Sequence, residues 1–165
     1  MSAFFRHAAL ILIVAALGAA PATAQTATAT FSANFAGFAK FSLSSTTVTF
    51  PDADPDAVPL IPASSGPLTI TVKARATTDS TIRLTISATD SLRSGLSTIP
   101  ASALSWTTTG TGYVAGTVNQ FSAQTLGSWT GAGISIGTQS YSFQNSWNYV
   151  PGTYTLLLFY TLTGP

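Results

Sequence analysis

Two stretches of strict alternation constrain this chain more than anything else in it. In Leu68-Thr69-Ile70-Thr71-Val72-Lys73-Ala74-Arg75 every even position is apolar and every odd one polar. Ile82-Arg83-Leu84-Thr85-Ile86-Ser87-Ala88 repeats the pattern. A period of two gives a β-strand one apolar face, which is what burial on one side requires. Thr77-Thr78-Asp79-Ser80 between them has turn chemistry, so the pair reads as an antiparallel hairpin. Lys73, Arg75 and Arg83 then share its outward face. Charges placed there discourage aggregation of the sheet, and contact with an anionic polymer is the other reading.

Further short strands are expected over 46–50, 103–108, 119–126 and 139–144. The last, over 153–163, differs in kind. Tyr154, Leu156, Leu158, Tyr160 and Leu162 share one face, and Leu157 and Phe159 put apolar bulk on the other. Apolarity on two sides predicts an interior strand, or one whose second face is covered. Glycines at 110, 112, 116, 127, 131, 133 and 137 predict loops or bulges, and the Pro/Asp-rich stretch 51–67 a long connection. Nothing after residue 24 has helical period. The expected architecture is an all-β, immunoglobulin-like antiparallel β-sandwich of about 7–9 strands, forming a single domain over 25–165.

Residues 1–24 read as a secretory signal peptide. Arg6 and His7 precede the apolar run 8–18, and Ala22-Thr23-Ala24 supplies a small-x-small cleavage pattern that makes Gln25 the first mature residue. The apolar run is short for a membrane span of roughly 20 residues, and no later segment is long enough for one. An exported protein is expected, in the periplasm, at the cell surface or outside the cell, with no membrane span in its mature chain. It has no cysteine, and a domain of this size can hold together by burial alone.

Only 7% of residues are charged, where about a quarter is usual. From residue 25 onward, Ser and Thr supply 45 of 141 residues and take the place of charge on the outer strand faces. Five cations (Lys40, Lys73, Arg75, Arg83, Arg93) balance five aspartates (Asp52, Asp54, Asp56, Asp79, Asp90). That balance gives no electrostatic footprint for nucleic acid.

The same stretch contains no His, Cys, Met or Glu, which removes most catalytic chemistry and argues for a protein that is not an enzyme. Gly133-Ile134-Ser135-Ile136-Gly137 matches the spacing of a hydrolase nucleophile elbow, but there is no histidine base and no following helix, so a glycine-rich loop is expected. Gly110-Thr111-Gly112-Tyr113-Val114-Ala115 matches a loosened dinucleotide fingerprint, again with no helix to receive a pyrophosphate. Asp52, Asp54 and Asp56 are the sharpest local signal. Carboxylates at i, i+2 and i+4 of an extended segment project to one side and offer hard oxygens to calcium, and a solvated acidic loop is the competing reading. Trp129 and Trp147 lie beside Gly or Asn and are the candidates for an exposed sugar-stacking platform, whereas Trp106 has the parity of a core residue. No cofactor other than calcium is expected.

Asn148-Tyr149-Val150-Pro151-Gly152-Thr153-Tyr154-Thr155, followed by an alternating strand, resembles the P-x-G-x-Y ending of bacterial fimbrial and spore-coat-U-like secreted subunits. That resemblance implies an immunoglobulin-like sandwich completed by a strand from a neighbouring subunit, in a fibre assembled through a chaperone and usher. Ile82-Arg83-Leu84 and Tyr160-Thr161-Leu162 are similar in placement to the Trp-x-Leu strands of WxL-type cell-surface domains. Two functions follow: a structural or adhesive surface protein that contacts copies of itself or other surface proteins, and a secreted carbohydrate-binding module using exposed aromatics.

Overall fold

The computed structural model describes residues 29–165; the expected signal peptide lies outside the described residues. Eleven strands are present among them, seven of six residues or more. They are β1 (Phe38–Leu43), β2 (Leu60–Pro62), β3 (Leu68–Arg75), β4 (Thr81–Ala88), β5 (Leu92–Ser94), β6 (Ser97–Ile99), β7 (Leu104–Thr109), β8 (Gly116–Thr117), β9 (Gln124–Thr130), β10 (Gly133–Gln144) and β11 (Leu158–Thr163). One 3₁₀ turn, Ala101–Ala103, is the only helical element in this part of the chain. The first sheet runs β1-β3-β10-β7-β8, with β2 pairing the far end of β10. The second runs β11-β4-β9, and β5 and β6 form a small ribbon. Every pairing is antiparallel. The fold is a β-sandwich.

The two alternating segments form β3 and β4 as expected, but they do not pair with each other. β3 lies between β1 and β10 in the first sheet, and β4 between β11 and β9 in the second. Residues 76–80 are therefore an arch between sheets, closed by Ser80 N–H donating to Thr77 O at 3.0 Å. A hairpin and an arch have the same alternation signature. The arch is the arrangement that turns the two apolar faces, Ile70 and Val72 against Ile82, Leu84 and Ile86, toward one core. It also separates the basic residues expected to act together. Lys73 and Arg75 lie on the outer face of the first sheet, and Arg83 lies on that of the second.

Four further expectations are corrected. Residues 133–137 form the first part of the longest strand and not a loop. Residues 46–50 form no strand, and the strand sought at 119–126 begins at Gln124. β11 is an edge strand and not an interior one, with Leu157 just before it and Phe159 within it exposed on the outer side. A bulge in β9 explains the missing pattern there. Leu84 pairs with Gly127 and Thr85 with Thr125, so Leu126 is the extra residue and is fully buried.

Gly137 sits inside β10 because an aromatic ring occupies its side of the strand. A Cβ there would meet the Tyr113 ring at 2.5 and 2.6 Å, closer than real atoms approach. Gly133, four residues earlier, faces open space. Gly137→Ala is expected to lower stability by about 2 kcal/mol, the scale of an overpacked core, and Gly133→Ala by less than about 0.5 kcal/mol. The midpoints of urea unfolding check the difference.

Candidate functional site

The two tryptophans singled out in the sequence stand at opposite ends of β10. Trp129 is the penultimate residue of β9, just before β10 begins, and Trp147 lies three residues beyond the end of β10. They do not form one platform. Trp129 is half-buried, its ring edge-on to Tyr113 with centroids 4.8 Å apart, and its Nε1–H donates to Thr111 O at 2.9 Å. Ring and N–H are committed within the fold. Trp129 also walls an open cavity of about 340 Å³ at that end of the sandwich, together with Val72, Ile82, Ser128 and Ser135. No charged side chain lines this cavity. Trp147 is 69% exposed, and its Nε1–H donates to Asp56 Oδ1 at 3.1 Å.

The acidic segment lies beside Trp147. Asn145 Nδ2 donates to Ala53 O at 2.9 Å and Val58 O at 3.2 Å, fastening the loop against the end of β10. The carboxylates serve separate local bonds. Asp52 Oδ1 accepts the Ala53 N–H at 3.0 Å, Asp54 Oδ1 accepts the Asp56 N–H at 2.9 Å, and Asp56 takes the indole. The backbone turns at this point, with Val58 N–H donating to Asp54 O at 2.8 Å. That turn ends the extended run on which the i, i+2, i+4 geometry depended. Among the described residues no three His, Cys, Asp or Glu side chains gather as metal ligands, and Asp52, Asp54 and Asp56 each serve a separate local bond.

Neither enzyme-like motif takes up the structure its chemistry needs. Ser135 lies mid-strand opposite Val72, and its carbonyl, not its hydroxyl, is engaged, lying 3.1 Å from the Tyr113 hydroxyl. Gly110-Thr111-Gly112-Tyr113 is a turn that leads into an isolated β-bridge between Tyr113 and Gly127.

The polar cluster that sequence reasoning missed lies in the core. Gln139 on β10 is fully buried, and its Oε1 accepts the Tyr160 hydroxyl at 2.7 Å. Tyr141, on the same strand, lies 2.8 Å from Tyr160 through the two hydroxyls. With Tyr160 donating to Gln139, Tyr141 donates to Tyr160. The chain of bonds ties edge strand β11 to the opposite sheet. Gln139 Nε2 has no acceptor among the described residues. The alternation of Gln139, Tyr141 and Phe143 was visible, but no pattern in sequence pairs a tyrosine with another nineteen residues away across two sheets.

Burial holds the tyrosine hydroxyls neutral. It pushes Tyr113 up to about 12, and Tyr141 and Tyr160 are both raised, burial being the main cause, with the adjacent Tyr160 raising Tyr141 further. An acid whose folded pKa lies above its unfolded value near 10 favours folding fully below pH 10. That contribution is lost as pH climbs from about 10 toward the folded values. Stability is therefore expected to fall steeply above about pH 10, and less steeply in Tyr141→Phe. At neutral pH, Tyr160→Phe leaves both Gln139 Oε1 and the Tyr141 hydroxyl without a partner and is expected to cost about 2–3 kcal/mol, against about 1 kcal/mol for Tyr141→Phe. Urea unfolding monitored between neutral pH and pH 11 reads both effects.

No protein-family model and no curated protein sequence matches the chain. No helix among the described residues is long and apolar enough to cross a membrane.

Proposed function

We propose that this chain is an exported, non-enzymatic structural or adhesive protein of the bacterial surface or periplasm, a fimbrial-type or cell-wall-associated subunit that works through its surfaces. One observation carries the reading. Edge strand β11 has a hydrogen-bonded neighbour on one side only, and next to that free edge Leu157 is 75% exposed and Phe159 49% exposed. Unpaired backbone beside apolar side chains is a template for another strand, which a solitary protein in bulk water would blunt with charge or proline. The outer faces rich in Thr and Ser, and the signal-peptide-like N-terminus, agree with a protein that acts outside the cytoplasm.

Assembly is expected to be visible as oligomers or fibres by electron microscopy and light scattering. Leu157→Lys with Phe159→Lys is expected to reduce it at least tenfold in concentration while changing folding stability by less than about 0.5 kcal/mol, both side chains pointing outward. A protein that stays monodisperse and monomeric at every concentration removes the reading.

A secreted carbohydrate-binding module is the second reading, favoured by the exposure of Trp147 alone. Quenching of tryptophan fluorescence by soluble polysaccharides, abolished in Trp147→Ala, would select it.

A further inference from the structure

Five cations and five carboxylates lie among the described residues, and the fold sorts them by sign along β10. That strand is 12 residues long, roughly 40 Å at the usual strand rise. At its start Ile134 pairs with Lys73, which pairs on its other side with Lys40. Arg75 follows, opposite Phe38. Arg83, opposite Ser128, lies at the same end of the second sheet. The side-chain carboxylate described at this end is Asp79, in the arch, and it forms no ion pair with these four cations. At the other end stand Asp52, Asp54 and Asp56, fastened beside the end of β10 by Asn145 and Trp147. Asp90 and Arg93, in the connection that follows β4 and in β5, pair with each other. A chain of zero net charge over these residues thus presents three net positive charges at one end and three negative at the other.

Both ends also carry exposed apolar groups. Phe38 and Ile134, each at least 60% exposed, border a hollow of about 340 Å³ whose other walls are Lys73, Ala74, Arg75 and Gly133. At the acidic end Trp147, Val150 and Leu60 are exposed. Lys40 directly opposite Lys73 is a like-charge cross-strand pair, unfavourable within one molecule and relieved by an anion from outside.

We propose that the two ends dock on each other, the acidic loop and Trp147 of one copy seating on the Lys40–Lys73–Arg75 face of the next. Charge complementarity selects a second copy as the occupant, because the anionic, aromatic surface this face requires is the one the same chain offers at its other end. End-on docking of unlike ends is head-to-tail, so each copy keeps one end free and the contact repeats as a filament or a ring, whereas side-by-side antiparallel docking would use both ends and stop at a dimer. The inference rests on the self-assembling reading and gives it a specific interface, separate from the β11 edge.

Sedimentation velocity on the purified protein tests it, across concentration and from about 0.05 to 0.5 M salt, where the screening length falls several-fold. Species larger than dimers are expected at low salt, weakening roughly tenfold or more at high salt. Lys73→Gln with Arg75→Gln neutralises one end, and Asp54→Asn with Asp56→Asn the other while keeping oxygen acceptors for the loop bonds. Each variant alone is expected to lose the salt-sensitive association. Mixed, they are expected to stop at dimers, since each supplies one intact end. A variant with the charges exchanged, Lys73→Asp and Arg75→Asp with Asp54→Lys and Asp56→Lys, is expected to assemble again; if it does not fold by circular dichroism, the mixing experiment decides alone. Wild-type protein that remains monomeric overturns both this contact and the self-assembling reading. Salt-sensitive assembly that persists in either neutralised variant, or a mixture that does not restore salt-sensitive pairing, overturns this contact and leaves assembly through β11 standing.

Discussion

Three aromatic rings laid on glycines hold one flank of this sandwich closed. Tyr113 packs on Gly137 and Gly110, Trp129 on Gly112 and Gly127, and Trp106 on Gly116. A side chain at any of these glycines would collide with ring or backbone atoms, and Gly112 in addition has a backbone φ of +83° that other residues rarely adopt. With the rings in place their polar atoms find partners in strand and turn carbonyls: the Trp106 Nε1–H donates to Val114 O at 2.9 Å, and the Tyr113 hydroxyl lies 3.0 Å from Ile70 O. The segment 112–114 is thereby pressed against β9, where Val114 N–H donates to Leu126 O and Ser128 N–H to Gly112 O, each at 2.9 Å. These backbone bonds connect the two sheets where hydrophobic contact alone would leave both edges free. Ring burial and hydrogen bonding here are one event, because the rings cannot enter without the glycines and the carbonyls are not reached without the rings.

The opposite flank has no such clasp. β1 and β11 approach each other through side chains, with the Phe41 and Tyr160 rings 6.4 Å apart, and no ladder joins them. What anchors β11 across the core is the bond chain from Tyr141 through Tyr160 to Gln139. The Gln139 amide lies on β10, buried and with its Nε2 unpartnered among the described residues, and a buried polar nitrogen without a partner is costly. The sandwich is therefore mechanically asymmetric, closed and ring-locked along β7–β9 and weakly tied along β1–β11.

How much of this was legible depends on the range of the interaction. Alternation in 68–75 and 82–88 is local, and both strands form where it placed them. Whether they pair or face each other is decided by contacts with β1, β10, β9 and β11, none of which leaves a mark on the two segments themselves. The glycines misled for the same reason. In 133–137 they suggested a loop because a missing side chain is read locally as freedom, whereas Gly137 is missing its side chain because Tyr113, 24 residues earlier, fills the space. Apolar bulk on both faces of 153–163 suggested coverage, and the described residues leave that outer face open. The acidic triplet lies in a loop, as expected, and a turn at Asp54 that no local pattern announces breaks the extended run on which the i, i+2, i+4 spacing relied.

Placement also alters what a neutral charge balance means. Read from composition, five cations against five aspartates describe a chain with no field and no charged partner. The fold converts the same residues into two ends of opposite sign, because consecutive antiparallel strands return the chain to one end of the sheet and Lys40, Lys73, Arg75 and Arg83 all fall near it. Asp52, Asp54 and Asp56 fall at the other end because the connection into β2 must reach the far end of β10, where Asn145 binds it. Thr and Ser on the outer faces between the ends supply solubility without charge, so nothing there masks the separation. The separation of charge is thus a property of the fold and not of the composition.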